Sequence, residues 1–436
     1  MSSSAASLAQ TSVHHTEALL FFTLLQLAVI VIFSRIGNEV ASRFAQSRVV
    51  GEIIIGILLG PSLFGLLAPD LFNYVFHSSS QEPITMLSQI GLILLMFQIG
   101  LEFDFSHLTT SNNRNAVIRI AAAGLIFPFV LGFIFGYYSA PILSPGAAPM
   151  ATALFTATAF SITALPILGR IMIEFNMTRL PLGVIAISAA AINDVIGWLL
   201  LAIVTALAVS NFSMENFFIT LVQLVMYIVV SWWVVRPLLR RAIRHSVVTE
   251  HRFSANLLGV IIAAIFLSAM MTYKIGIFAI FGGFMMGVLL HDQLEIVKAW
   301  RKKVGEFVTV FFLPIFFTYT GLRTNIGGLD SIALWGWCLL LISLATIGKF
   351  GGCYWAARWS GMNHAQSKVI GIMMNTRALM ELIIINVGYD LGVISQNMFT
   401  MLVLMAIVST VITTPGLRRW LPGAGIPIPA RQHLAD

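Results

Sequence analysis

The sequence is poor in charge and in cysteine. Only 10% of its 436 residues are charged, against roughly 25% in soluble domains, whereas 58% are hydrophobic. The two cysteines, Cys338 and Cys353, share one apolar segment, and their spacing fits neither a disulfide framework nor a metal site. These deficits exclude a soluble or disulfide-stapled domain, and we expect both cysteines to be packing residues.

Motifs of hydrolytic enzymes are missing as well. No HExxH or GxSxG motif occurs, and no carboxylate dyad is convincing. Histidine and cysteine form no cluster for a transition metal, and the adjacent His14 and His15 lie in a polar tail. We therefore predict neither an enzyme nor a bound cofactor.

Long apolar runs dominate what is present. About 20 apolar residues are needed for a helix to cross a bilayer. Thirteen segments approach or exceed this length: 17–36, 48–66, 84–102, 116–138, 148–170, 181–209, 215–236, 253–273, 276–291, 306–322, 331–357, 367–388 and 396–417. The sequence predicts an all-α polytopic membrane protein with a polar N-terminal tail (1–16), a membrane domain (17–417) and a cytoplasmic tail (418–436).

The basic residues test this count. If the N-terminus lies outside, 21 of the 25 lysines and arginines fall in loops that face the cytoplasm, as the positive-inside rule requires. The net charge of +7 is thus an orientation signal. Its spread over many short loops argues against a nucleic-acid surface.

Four ionisable residues lie deep inside spans. They are Asp194 in the sixth span, Lys349 in the eleventh, and Arg377 and Glu381 in the twelfth. A charge at that depth costs about 2.5–3.5 kcal/mol on insertion scales and indicates a functional site. Arg377 and Glu381 are four residues apart, a spacing that allows a local ion pair. Buried salt bridges that fix helix register remain the alternative reading.

Two spans carry polar interruptions. Three threonines, a serine and Pro166 interrupt the fifth span within 156–166, and an MNTR sequence at 374–377 interrupts the twelfth. Interrupted segments in corresponding halves of a transporter mark its binding site. Because these spans are seven apart, we predict two inverted six-helix repeats with crossed discontinuous helices, joined by the seventh span as connector. Continuous helices with ordinary back-bonded hydroxyls are the alternative.

The residues near the predicted crossing of the fifth and twelfth spans would offer hard oxygen ligands. Asp194 would supply a carboxylate, and Thr158, Ser161 and Thr163 would supply hydroxyls beside freed backbone carbonyls. Such ligands suit an alkali cation or protons rather than a transition metal.

Several motifs resemble a known family. They occur in family order: RVVGEI (48–53) with GILLGP (56–61), GLEFD (100–104), FSITALPIL (160–168), GGFMMG (282–287), LPIFF (313–317) and MNTRALMEL (374–382). Together with Asn193-Asp194, they resemble the monovalent cation:proton antiporters, in the branch of Kef-type efflux proteins and plant cation/proton exchangers.

The resemblance implies a specific mechanism. It implies a homodimer in which a core (116–209 and 331–417) slides in elevator fashion against a panel (17–102 and 253–322), with 215–236 as connector. Asp194 matches the residue that binds Na⁺, Li⁺ or K⁺ in exchange for H⁺, and Lys349 matches a charge-compensating lysine. Arg377 and Glu381 are expected to neutralise helix ends.

One departure from the family pattern concerns charge balance. Electrogenic members carry two adjacent aspartates, whereas Asn193 occupies the first position here and cannot ionise. The sequence is therefore similar to electroneutral members, and we expect exchange of one cation for one proton in a plasma membrane or another energy-coupling membrane. A cation channel and an inverted-repeat transporter of a small organic anion remain as alternatives.

Overall fold

The computed structural model describes residues 2–44, 46, 48–78, 80–101, 114–177, 180–209, 214–250 and 254–428. Within these ranges the chain is helical and contains no strand. The first eleven helices are α1 (Ser2–Arg43), α2 (Arg48–Leu58), α3 (Phe64–Leu67), α4 (Pro69–Phe76), α5 (Glu82–Leu101), α6 (Arg114–Leu143), α7 (Pro149–Ser161), α8 (Leu165–Glu174), α9 (Pro181–Val209), α10 (Met214–Val230) and α11 (Arg236–Glu250). The next ten are α12 (Ala255–Lys274), α13 (Ala279–Leu290), α14 (Leu294–Trp300), α15 (Leu313–Arg323), α16 (Ile332–Thr346), α17 (Gly352–Trp359), α18 (His364–Met374), α19 (Leu379–Asp390), α20 (Gln396–Val411) and α21 (Thr413–Trp420).

Membrane-length helices account for most of the described chain. Eight helices are long and apolar enough to cross a bilayer, and ten if each of two bent pairs counts as one span. The shorter α2, the pair α7 and α8, and α13 cover the remaining predicted segments. The all-helical membrane class predicted from the sequence is confirmed, while the count of thirteen stays a prediction.

Both predicted interruptions are present, and we call the one at 162–164 the first break and the one at 375–378 the second break. Residues 162–164 separate α7 from α8, and Pro166 lies in the first turn of α8, where its missing N–H leaves no bond unmade. Residues 375–378 separate α18 from α19, which are bent by 42°. The two breaks touch, because the Ala164 N–H donates to the Thr376 carbonyl oxygen over 3.0 Å. Continuous helices are therefore ruled out at both places.

One group of helices packs around these breaks. In the first half, α6 contacts α7 and α9, and α7 contacts α9. In the second half, α17 contacts α18, α16 contacts α20, and α19 contacts α20. Corresponding helices thus meet in the same pairs in both halves, as a structural repeat predicts. Across the halves, α6 packs on α16 and α17, and α7 packs on α19.

A second group contains the helices of the predicted panel. Here α1 contacts α2, α2 contacts α15, and α5 contacts both α13 and α15. Trp198 of α9 stacks on Phe284 of α13 with ring centroids 5.2 Å apart, which joins the two groups near the middle of α9. The division into core and panel stays a prediction.

Several helix ends differ from the predicted segment bounds. The first helix begins at Ser2 and so includes the predicted polar tail, and the second segment stops being α-helical at Leu58, before Gly60 and Pro61. The connector continues beyond 236 as α11, because its basic residues are good helix formers. Residues 102–104 of the GLEFD motif lie outside the described residues, as do the side chains of His14 and His15.

Candidate functional site

Asp194 is held near the middle of α9, among small side chains. Its side chain is 1% exposed, and its neighbours Ala190 and Ala191 are also buried. Neither carboxylate oxygen has a hydrogen-bond partner within the described part of the chain. The backbone N–H of Leu165, at the start of α8, lies close enough to favour the ionised carboxylate although it is outside hydrogen-bond geometry. Since a helix N-terminus carries a partial positive charge, α8, which begins directly after the break at 162–164, faces Asp194 with its anion-stabilising end.

Asn193 precedes Asp194 and is equally buried. Its Nδ2 atom lies 3.3 Å from the position that a Cβ at Gly124 would occupy. Any larger residue at Gly124 would crowd Asn193 and Cys353. Neither Nδ2 nor Oδ1 of Asn193 has a described hydrogen-bond partner, so its amide, like the carboxylate beside it, is available to a ligand.

Lys349 does not pair with Asp194. Its ammonium group donates to the Gly124 carbonyl oxygen over 2.7 Å and also to the carbonyl oxygen of Ser161. No ion pair joins it to Asp194 among the described residues; the two groups interact only at longer range. Lys349 lies in a π-helical turn, Ile347–Gly351, between α16 and α17. Such turns occur frequently at functional sites.

Arg377 and Glu381 form the local ion pair expected from their spacing, with Arg377 Nη1 and Glu381 Oε1 3.2 Å apart. The same guanidinium donates to the carbonyl oxygens of Ala159 (3.0 Å) and Ala345 (3.1 Å). Ala159 lies in the last turn of α7, and so does Ser161, the acceptor of Lys349. Both buried cations therefore bond to carbonyls at the C-terminus of α7, where a helix carries partial negative charge.

The three predicted hydroxyl ligands are fully buried at the first break. Thr158 and Ser161 donate 2.7 Å hydrogen bonds to the carbonyl oxygens of Leu154 and Ala157 in their own helix. Thr163 reaches across to the Met374 carbonyl oxygen at 3.4 Å. Because each hydroxyl proton is directed at a carbonyl, the lone pairs of each oxygen remain available as acceptors.

Asn375 is a functional candidate that the sequence reading missed. It lies in the second break, is completely buried, and neither its Oδ1 nor its Nδ2 has a described hydrogen-bond partner. An unpaired amide at such depth costs several kcal/mol. The signal was available, because Asn375 is an amide residue within the polar stretch that interrupts the apolar twelfth segment.

The same break contains a strained backbone residue. Ala378 has φ +123°, a backbone conformation that favours glycine. It directly follows Arg377, whose carbonyl oxygen accepts a 2.9 Å hydrogen bond from Thr410. The break is thus held in an unfavourable conformation by bonds from α20, as functional sites often are.

These donors suit an alkali cation better than a transition metal. Carboxylate, amide and hydroxyl oxygens surround the two breaks, whereas no cluster of three His, Cys, Asp or Glu residues occurs in the described ranges. Cys338 and Cys353 are both free and buried, as expected of packing residues.

The chain is similar to a known family and to several known proteins. The family model described as sodium/hydrogen exchanger, transmembrane, matches residues 27–422. The Na⁺/H⁺ antiporter NhaS4 of Synechocystis is 38% identical over 401 residues, which cover 91% of this chain and 96% of that protein. The Na⁺/H⁺-K⁺ antiporter GerN of Bacillus cereus is 30% identical, covering 90% and 95%.

The chain is also similar to part of a longer protein and to a solved structure. The cation/H⁺ antiporter 17 of Arabidopsis thaliana is 34% identical over 395 residues, and the match spans about half (47%) of its length. The sodium proton antiporter MjNhaP1 of Methanocaldococcus jannaschii superposes with a TM-score of 0.65, covering 94% of this chain and 99% of that one. At 15% identity, this likeness supports the fold alone.

Proposed function

The chain belongs to the sodium/hydrogen exchanger family, and we propose that it is a secondary active antiporter that exchanges Na⁺, Li⁺ or K⁺ for H⁺. The observation that carries this proposal is the state of Asp194, a buried carboxylate whose two oxygens have no described partner. This carboxylate lies near the start of α8, which directly follows the first break (162–164). The first break is hydrogen-bonded to the second break (375–378). A group of this kind can bind a cation or a proton, but not both at once.

The proposed ligands for the cation come from the middle of α9, from the end of α7 and from the break that follows α7. Asp194 supplies the charge, and the oxygens of Asn193, Thr158, Ser161 and Thr163 complete the coordination. These side chains are all buried, so the cation would have to exchange most of its water for protein oxygens. Proton binding at Asp194 removes the charge and with it the main attraction for the cation, which couples the two fluxes.

Charge balance supports exchange of one cation for one proton. Asn193 cannot ionise, so Asp194 is the one of these two adjacent residues that can bind or release a proton. The Lys349 ammonium bonds to two backbone carbonyls, so its charge has a structural use that does not depend on Asp194. We infer that Lys349 stays protonated through the cycle and that transport is electroneutral.

Alternating access would be elevator-like. The proposed core comprises α6–α9 and α16–α21, and the proposed panel α1–α5 and α12–α15. Polar contacts join the two at one end: Asn386 of α19 donates to Thr320 of α15 over 2.9 Å, and Arg323 and Asp390 pair at 2.5 Å. Sliding of the core would require these contacts to break and re-form. We also propose a homodimer whose N-terminus is outside and whose C-terminus is cytoplasmic.

The test is transport by the purified full-length protein. Proteoliposomes with an imposed pH gradient are loaded with a pH-sensitive dye, and Na⁺, Li⁺ or K⁺ is added. Dequenching by at least one of the three is expected. Asp194→Asn should abolish it without changing the unfolding temperature, whereas Asp70→Asn, which alters an exposed aspartate of α4, should transport normally.

The opposite results are equally clear. Normal exchange by Asp194→Asn would refute the shared site. Cation current without proton movement would favour a channel, and proton movement driven only by organic anions would favour the anion transporter.

A further inference from the structure

Four arginines lie within nine residues at the start of α11: Arg236, Arg240, Arg241 and Arg244. Together with Trp232, Trp233 and Pro237 they line an open cleft of about 650 Å³ along the helix surface. None of these residues belongs to the proposed transport site. We call these four arginines and two tryptophans the basic cleft.

The depth of the basic cleft follows from the helix that leads to it. Twenty uncharged residues separate Glu215 from Arg236. At about 1.5 Å per residue they span roughly 30 Å, the thickness of the hydrocarbon core. Only 11% of the most apolar window of this span is buried inside the chain, so it faces lipid. The arginines therefore begin where the hydrocarbon ends, at the depth of the lipid headgroups.

The tryptophans support this placement. Trp232 and Trp233 lie four and three residues before Arg236, the first of the arginines, and are 40% and 71% exposed. Tryptophan is enriched at the boundary between hydrocarbon and headgroups. The Arg236 guanidinium lies 4.0 Å above the Trp232 ring, which positions the first arginine against the cleft wall.

The acidic partner of the cleft neutralises only part of its charge. Asp292 pairs with Arg236 at 3.0 Å and with Arg240. Partial burial raises the pKa of Asp292, but its hydrogen bond from Gln293 and the two arginines outweigh this and hold the pKa below its usual value. Asp292 is thus ionised at neutral pH. Arg241 and Arg244 are exposed and have no acidic partner in the described chain, which leaves a net charge of about +3.

We propose that the basic cleft binds the phosphate of an anionic phospholipid headgroup. Arg236 and Arg240 are held in place by Asp292, and Arg241 and Arg244 offer planar donors that bond phosphate oxygens in pairs. A lipid, rather than soluble phosphate, is the occupant because the lipid-facing apolar surface of α10 continues directly from the cleft and receives acyl chains. The bound lipid would tie the connector helix to the panel through Asp292.

The experiment uses the purified full-length protein in detergent. Unfolding temperature is measured against increasing phosphatidylglycerol, phosphatidylcholine or inorganic phosphate, and retained lipid is counted by native mass spectrometry. Phosphatidylglycerol should stabilise the wild type more than the other two additives do. The double variant Arg241→Gln/Arg244→Gln should bind it on the order of tenfold more weakly.

The control variant removes the same charge elsewhere. Arg48→Gln/Arg114→Gln alters two exposed arginines outside the cleft and should keep the full response to phosphatidylglycerol. If both double variants lose the response to phosphatidylglycerol equally, net charge alone causes the response and the proposal is overturned. Equal stabilisation by phosphatidylcholine, or by inorganic phosphate, would overturn it as well. Because neither arginine touches the transport site, exchange by the variants tests the proposed function separately.

Discussion

The Lys349 ammonium bonds the carbonyl oxygen of Ser161, the last residue of α7. Arg377 bonds the Ala159 carbonyl in the same turn, so two buried cations neutralise the C-terminus of a helix that stops inside the membrane. The N-terminus of α8, beyond the break, faces the one buried acid of α9. The broken helix thus orders the charges around it: cations at the end of α7, Asp194 at the beginning of α8.

This arrangement predicts a structural role for Lys349. Lys349→Met should lower stability by about 1–3 kcal/mol for each carbonyl left unsatisfied, measured as a fall in unfolding temperature. Lys349→Gln, which keeps a donor, should lose less. Cation/proton exchange by the protein that does fold should remain electroneutral in both variants. Unchanged stability with altered stoichiometry would instead identify Lys349 as a proton carrier.

Asn193→Asp should change the electrical character of transport. A second carboxylate beside Asp194 adds a site that can carry another proton, so exchange should become dependent on membrane potential. The measurement is dequenching in proteoliposomes whose potential is clamped with valinomycin and potassium, using sodium as the test cation. Wild-type transport should not follow the potential. If wild-type transport does follow it, exchange of one cation for one proton is wrong.

Asn375 and Asn386 are two buried asparagines of the twelfth segment that differ in their hydrogen bonding, so each serves as the control for the other. Asn375 has no described partner, whereas Asn386 bonds to Thr320 and to the Leu382 carbonyl. Asn375→Leu should leave the unfolding temperature unchanged or raise it, because it removes an unsatisfied buried group, and should raise the KM for the cation. Asn386→Leu should lower the unfolding temperature. A destabilised Asn375→Leu with a normal KM would assign Asn375 to packing.

Ala378→Gly should stabilise the protein. A non-glycine residue at φ +123° carries about 1–3 kcal/mol of strain, and the entropic cost of glycine, roughly 0.5–1 kcal/mol, offsets only part of it. We expect a net gain of about 1 kcal/mol in thermal unfolding. The control Ala28→Gly, at an exposed position inside α1, should lose about 1 kcal/mol. A loss of stability in both variants would show that the backbone at Ala378 carries no strain that glycine can relieve.

Breaking the buried ion pair should be costly. Glu381→Gln removes the charge that balances Arg377 while nearly preserving shape, and an uncompensated buried charge costs about 3–5 kcal/mol. Folded yield and unfolding temperature should both fall. Arg377→Gln/Glu381→Gln should recover part of that loss, since no unpaired charge remains. Equal losses in the single and double variants would mean that the carbonyl contacts of Arg377, rather than the pair, carry the stability.

The sequence by itself determined the membrane class, the two interrupted segments, the depth of Asp194 and the local pair of Arg377 with Glu381. These features depend on composition, on proline chemistry and on short spacings along the chain, all of which are local. Only the tertiary structure decided what each buried group meets. Lys349 bonds to Gly124 and Ser161 instead of pairing with Asp194, and Asn375 has no described partner. Distances between helices depend on how whole faces pack, and residue spacing along one chain carries no measure of them.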